Sequence, residues 1–260
     1  MRITLIGSGN VATHLGAALK NAGHKIIQVY SPNLQHAALL AYHIKAEPVD
    51  DLHYVNPDTD VFIIAVNDDA IDGITSEISL HNKPILHTSG STDLAVLLKY
   101  TQLCGVFYPL QTFSKTKELD FRNVPVCIEG ASGEIFAQIK ELAQTVSNHV
   151  YDVDSQQRRI LHLAAVFACN FPNYLYTVAQ QLLAQHQLDF DMIRPLIAET
   201  ADKALQQLPA TVQTGPAVRN DVTTMNKHLE MLQNEPLMQQ VYELLSQGII
   251  KMDKGTNGDN

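Results

Sequence analysis

Apolar residues in the first half of the chain fall in short, nearly unbroken runs at 3–6, 26–30, 61–66, 85–87, 103–107 and 124–128. Runs of this length, rich in Ile, Val and Phe, predict strands, and the lack of a polar alternate face predicts cover on both sides, as in parallel sheets. Between them, as in 11–21 and 134–147, apolar residues recur at helical spacing. The alternation predicts βαβ units in a doubly wound, mostly parallel sheet. Past Asp154 the character changes. Helical patterns fill 156–185, 189–207, 221–233 and 236–252, with no strand-like run. Pro172 falls inside the first of these and cannot donate to the carbonyl of Ala168, so that helix should kink or divide. The polar end, KGTNGDN, is expected to fray. The pattern predicts two domains, α/β over 1–152 and all-α over 153–260.

Composition narrows the function classes. The chain has 260 residues, enough for two ordinary domains, and a net charge of −9. That balance argues against a nucleic-acid partner, which needs a basic face. No run approaches the roughly 20 apolar residues of a membrane span, and the N-terminus lacks a signal-peptide pattern. Cys104, Cys127 and Cys169 are odd in number and far apart. They provide neither a metal-ligand spacing nor a disulfide framework, and they fit a reducing compartment, so a cytoplasmic location is expected.

The first strand runs into Gly7-Ser8-Gly9-Asn10-Val11-Ala12, then a helical pattern. This is the G-x-G-x-x-G/A fingerprint of dinucleotide binding in its required strand-to-helix context. Gly7 permits the tight turn, Gly9 lets a pyrophosphate approach the backbone, and Ala12 allows close helix–sheet packing. The second strand ends Tyr30-Ser31-Pro32-Asn33 without the acid that would hold a ribose 2′-hydroxyl of NAD. Its absence tilts the choice toward NADP, although no Arg or Lys follows before Lys45 and His36 is the nearest candidate cation; NAD stays open. Two further strand ends are candidate cofactor edges, Ala65-Val66-Asn67-Asp68 and Thr88-Ser89-Gly90, because ligands of open α/β sheets bind beyond the carboxyl ends of strands. Asp68 or Asp69 would equally serve to cap the next helix.

The motifs GSGNVATHL, DVFIIAVNDDAI, HTSGS and FYPLQTF, then HLAAVFACNFPNYL and TGPAVRNDVTTMNKHL, resemble one family. It is a group of bacterial Rossmann-like proteins labelled NADP oxidoreductases, with a helical C-terminal domain of unknown function. The N-terminal half is similar more widely to pyrroline-5-carboxylate reductase, deazaflavin-dependent NADP oxidoreductases and 6-phosphogluconate dehydrogenase-like proteins. The resemblance implies a dinucleotide site at Gly7 to Val11, Ser31, Ala65 to Asp68 and Thr88 to Gly90, a C-terminal domain of the 6-phosphogluconate dehydrogenase-like type, and a homodimer formed through that domain. Three positions depart from relatives. Pro32 stands where many have Arg after the second-strand Ser, Tyr108 stands where many have His, and Val166 occupies the lysine position of the hydroxyacid dehydrogenases. The lysine chemistry of those enzymes is therefore absent.

Polar residues on the apolar helices of the second half are the remaining candidates for chemistry. His162 and Asn170 are eight apart, about 80° around a helix, so both can face one cleft. A neutral His can exchange a proton near neutral pH and an Asn can orient a carbonyl. Each could instead be a satisfied core group. Arg219, on the loop before a helix, could clamp a carboxylate or phosphate, or pair with Asp221. Asp221 itself suits an N-cap, and His228 ranks below His162. The apolar run 164–171 exceeds what one face of a small domain can hide, which predicts burial against a second copy. The reading is an NAD(P)-dependent oxidoreductase acting on a small carbonyl, imine or hydroxy compound, with His162 as proton donor, Asn170 as orienting group and Arg219 as anion clamp. The alternative is a non-catalytic dinucleotide-binding sensor or scaffold.

Overall fold

The structure, a computed structural model, describes residues 1–256; the last four of the polar tail lie outside the described residues. Eight strands form one sheet: β1 (Arg2–Ile6), β2 (Lys25–Tyr30), β3 (Glu47–Val49), β4 (Val61–Ile64), β5 (Ile85–His87), β6 (Cys104–Pro109), β7 (Val126–Gly130) and β8 (Val150–Asp152). Their order is β3-β2-β1-β4-β5-β6-β7-β8. All pairings are parallel except β6 with β7. The chain therefore winds outward in both directions from β1 and β4, and the crevice between their carboxyl ends is the switch point where such sheets bind ligands.

Each expected strand is present. β3 and β8, three residues each at the two edges, lie outside the expected runs. The unbroken apolar character of the inner strands has the predicted cause. In β4, Val61 and Ile63 enter one core layer while Phe62 and Ile64 enter the other, and none is more than 2% exposed. Helices α1 (Asn10–Asn21), α2 (Leu34–Ile44) and α5 (Gly133–Val146) cover one face. Helices α3 (Asp68–Ile78) and α4 (Ala95–Leu98) cover the other. Burial of each large side chain in these layers contributes roughly 1.5–3 kcal/mol.

Two compact units divide the chain, one over Met1–Asn170 and one from Phe171 onward. The sheet ends at Asp152, where the sequence pattern turns all-helical, but the first unit continues through α6 (Ser155–Ala165). Asp154 starts α6 with a reciprocal cap: its carboxylate accepts from the Gln157 amide and Gln157 Oε1 accepts from the Asp154 amide. The helix expected over 156–185 divides before Pro172. A π-helical turn, Val166–Asn170, separates α6 from α7 (Phe171–Gln185), consistent with the hydrogen bond that Pro172 cannot make.

The second unit contains α7, α8 (Arg194–Gln206), α9 (Val222–Met231) and α10 (Pro236–Thr256). Asp221 caps α9 through the Thr224 amide and hydroxyl, at 3.1 and 2.7 Å. α10 runs through Thr256, so the first part of the tail expected to fray is helical. The burial expected for the apolar stretch around 164–171 does not occur within one chain: Leu163 and Phe167 are 52% and 63% exposed. No helix among the described residues is long and apolar enough to cross a membrane.

Candidate functional site

A cleft of about 700 Å3 opens beyond the carboxyl ends of β1, β2, β4, β5 and β6. Its first wall is the glycine loop. Gly7 has φ +123°, a conformation that side chains rarely adopt, and a Cβ there would run into the carbonyl oxygen of Ala65. Only glycine lets β1 turn this closely past β4. Gly9 is the N-cap of α1 and has open space where a Cβ would point, and no side chain caps the helix. The first turn of α1 carries no acid. Its free N–H groups and partial positive charge are therefore available to an anion, so the residues present fit a dinucleotide pyrophosphate.

Ser31, Pro32, Ala65, Val66, Asn67, Asp68, Thr88, Ser89 and Gly90 line the cleft with Ser8, Asn10 and Val11. Asn33 does not. Its side-chain oxygen accepts from the amides of Gln35 and His36, at 3.0 and 3.2 Å, and so caps α2. Neither acid after β4 is a cap. Asn67 holds the N-cap position, and Asp68 and Asp69 form the first turn of α3, where carboxylates complement the helix dipole. Asp68 accepts a hydrogen bond from the Ser91 hydroxyl.

The far wall combines β6 and α6. Tyr108, only 8% exposed, bonds through its hydroxyl to His162 Nδ1 at 3.1 Å, ring edge to ring face. Burial pushes the Tyr108 phenol up to about 12, so it stays neutral at physiological pH. Gly90 makes room for the pair: a Cβ at this position would lie 2.7 Å from His162 Nδ1 and 2.8 Å from Tyr108 Cζ. Asn170 is not brought to the cleft. It closes the π-helical turn that follows α6, is exposed, and is not among the lining residues. Arg219 is exposed on the loop before α9, and no ion pair with Asp221 forms among the described residues. His228, also in the second unit, bonds to the Tyr242 hydroxyl at 2.8 Å.

Beneath the cleft is a buried polar network that the sequence pattern did not reveal. Arg158, fully buried on α6, donates to Glu129 of β7 at 2.5 Å, to the Thr92 carbonyl at 2.6 Å and to Ser155 Oγ at 3.0 Å. Ser155 in turn donates to Glu129 and accepts from the Leu94 amide. His87, also buried, accepts from the Ser89 amide through Nδ1, which leaves the proton on Nε2, where it has no partner. Burial first and then the Arg158 charge hold His87 down to about 3, so it is neutral. A fully buried arginine four residues before His162 has no periodicity signal. Tyr108 had one, the departure from His before Pro109.

Fold, glycine loop and cleft define a protein built on a Rossmann-type dinucleotide-binding domain. Residues 2–89 match the family described as NADP oxidoreductase, coenzyme F420-dependent, and residues 124–249 match a domain of unknown function. A solved structure described as a "putative NADP oxidoreductase" from Bacteroides fragilis is 45% identical over 96% of this chain and 98% of its own, with a TM-score of 0.92. The chain belongs to the family of that protein. The fold is also that of the imine reductase from Myxococcus stipitatus in complex with NADP+ (13% identity, 98% of this chain and 95% of the other, TM-score 0.69). It is shared too by 1-pyrroline-5-carboxylate reductase from Streptococcus pyogenes (13% identity, 98% of each chain, TM-score 0.62). No curated protein matches.

Proposed function

We propose that the protein is an NADP-dependent reductase of a small carbonyl or imine compound, working in the cleft between the glycine loop and His162. One observation carries the reading: a single cleft has a dinucleotide cradle at one end and a hydrogen-bonded tyrosine–histidine pair at the other. The family description and the names of the imine and pyrroline-5-carboxylate reductases support a hydride acceptor of the C=N or C=O type. The family match with the coenzyme F420 description covers only residues 2–89, so it bears on the dinucleotide half and not on a second substrate. For the choice of dinucleotide, Ser31 stands at the cleft where an acid would repel a 2′-phosphate.

When bound, the nicotinamide cofactor supplies the hydride. The chain supplies the proton. With His162 Nδ1 bonded to Tyr108, Nε2 is the ring nitrogen left to protonate the oxygen or nitrogen that gains the electron pair; solvent returns the proton. Tyr108 orients the ring. Asn170, which stands outside the cleft, plays no part in this mechanism; Arg219 as anion clamp completes the proposal, and losing it is expected to raise KM more than it lowers kcat.

We also infer a homodimer formed through the helical domain, in the cytoplasm. In the second unit only Ala217 and Leu232 are buried hydrophobics among the described residues, while Met192, Leu196, Leu205 and Leu208 are 63–86% exposed. A unit of that size with so little core needs a partner surface. Sedimentation at micromolar concentration that found only monomer would overturn this.

The enzymatic reading is tested by NADPH oxidation across a panel of keto acids, cyclic imines and hydroxy acids. His162→Ala should abolish turnover while calorimetry still finds NADPH binding. Full activity in that variant would remove His162 from the chemistry. Binding without turnover on any substrate by the wild type would favour the sensor or scaffold.

A further inference from the structure

The cleft poses a charge problem. A dinucleotide brings a doubly charged pyrophosphate, yet none of the residues lining the cleft is Lys or Arg, and Asp68 adds a negative charge. The chain as a whole carries −9. The dipole of α1 offsets part of this, but a helix terminus acts within its first turn and is screened by salt.

One cation does stand at the glycine loop, and it comes from more than 100 residues away. Lys115 Nζ donates to the carbonyl oxygen of Ser8, between Gly7 and Gly9, at 2.9 Å. It belongs to the segment between β6 and the 3-10 turn Phe121–Asn123. That segment is tied onto the first turns of α1. Asn10 Nδ2 donates to the Phe113 carbonyl at 3.0 Å, and His14 Nε2 lies 2.9 Å from the Ser114 carbonyl. A carbonyl only accepts, so His14 carries its proton on Nε2 in this arrangement. Phe113 packs against His14 and stacks on Phe121, with centroids 5.2 and 6.1 Å away, and Gln111 and Phe113 line the cleft itself.

These tethers hold the Lys115 backbone beside the loop and leave its side chain exposed and able to turn. Its present partner is a neutral carbonyl. A phosphate oxygen is a charged acceptor and makes the shorter, stronger bond. We propose that Lys115 is the pyrophosphate cation of this protein: its ammonium moves from the Ser8 carbonyl to a phosphate oxygen when dinucleotide binds. The inference rests on the dinucleotide site proposed above. It accounts for a cradle without a cation of its own.

The test is calorimetric titration of the intact protein with NADP+, NAD+ and ADP-ribose, which share only the ADP-ribose half with its pyrophosphate. Lys115→Met is expected to weaken all three by a similar factor, about ten- to hundred-fold for one lost charge-assisted bond. The decline of affinity with added NaCl should also become shallower. Lys115→Arg is expected to recover most of the loss. Circular dichroism should be unchanged, because the side chain is exposed. Wild-type affinities in Lys115→Met would sink this inference alone. A loss confined to NADP+ would move the lysine to the 2′-phosphate and overturn the pyrophosphate assignment. Failure of the wild type to bind any of the three would sink the dinucleotide reading, and this inference with it.

Discussion

Removing the carboxylate of Glu129 should do more damage than any surface mutation, and the structure indicates how much. Arg158 is 0% exposed, and among the described residues it forms its ion pair with Glu129, itself 19% exposed. In Glu129→Ala the guanidinium stays buried with two neutral acceptors, the Thr92 carbonyl and Ser155 Oγ, and an Nε that already has no partner. Leaving one member of a buried pair uncompensated costs about 3–5 kcal/mol. Ser155 also loses its acceptor, adding roughly 1 kcal/mol. Glu129→Gln keeps an oxygen for Arg158 and should cost less, about 1–3 kcal/mol. The double variant Glu129→Leu with Arg158→Met removes both charges and should be more stable than Glu129→Ala, because no buried charge is left alone. Urea unfolding at pH 7, followed by circular dichroism, measures all three. In a chain of this size each kcal/mol is worth about 2–4 °C, so a total cost of roughly 4–6 kcal/mol should lower the thermal midpoint of Glu129→Ala, followed by the same signal on heating, by about 8–24 °C. A functional loss should accompany it. Arg158 and His162 are one turn apart on α6, and Ser155 pins the same helix to the Leu94 amide. Loosening α6 should lower turnover while leaving NADPH binding near normal. A cost for Glu129→Ala below about 1 kcal/mol, or a double variant less stable than the single, would refute the argument.

Three further outcomes are expected. Gly90→Ala would put a methyl group 2.7 Å from His162 Nδ1; it should cost about 1–3 kcal/mol and lower turnover at least about ten-fold, and a variant with normal melting and normal turnover would show that the contact is not tight. Because His87 is held down to about 3 in the folded protein against about 6.5 unfolded, the unfolded chain binds more protons between those values. Its contribution to stability is therefore full above about pH 6.5 and falls on acidification, by roughly 2 kcal/mol between pH 7 and pH 5; His87→Asn, which can still accept from Ser89, should flatten that slope, and an equal slope in both proteins would remove His87 as its source. NADPH should bind a few-fold to about a hundred-fold more tightly than NADH, and Pro32→Arg should widen the gap by adding a phosphate partner; tighter NADH binding by the wild type would reverse the assignment drawn from Ser31.

Much of this architecture is written in local pattern. Continuous apolar runs such as 61–66 need cover on both sides, and a glycine loop between strand and helix has few other uses, so the doubly wound sheet and its cradle followed from residues adjacent in the chain. The cap at Asp221 and the break before Pro172 are local for the same reason, since both act within one helical turn. The edge strands β3 and β8 were not legible, because three residues cannot establish a period and only pairing with a neighbour makes them strands. What remained hidden depends on chain segments far apart in sequence. Tyr108 and His162 are 54 residues apart and meet only because β6 ends beneath α6. Arg158 finds Glu129 across 29 residues, and Lys115 finds Ser8 across 107. The helical spacing of His162 and Asn170 was compatible with one cleft, but the cleft is built by strand ends and reaches only the first of them. Apolar periodicity fixes which face a helix turns inward. It carries no information about which distant side chain waits there, and that juxtaposition exists only once the sheet has formed.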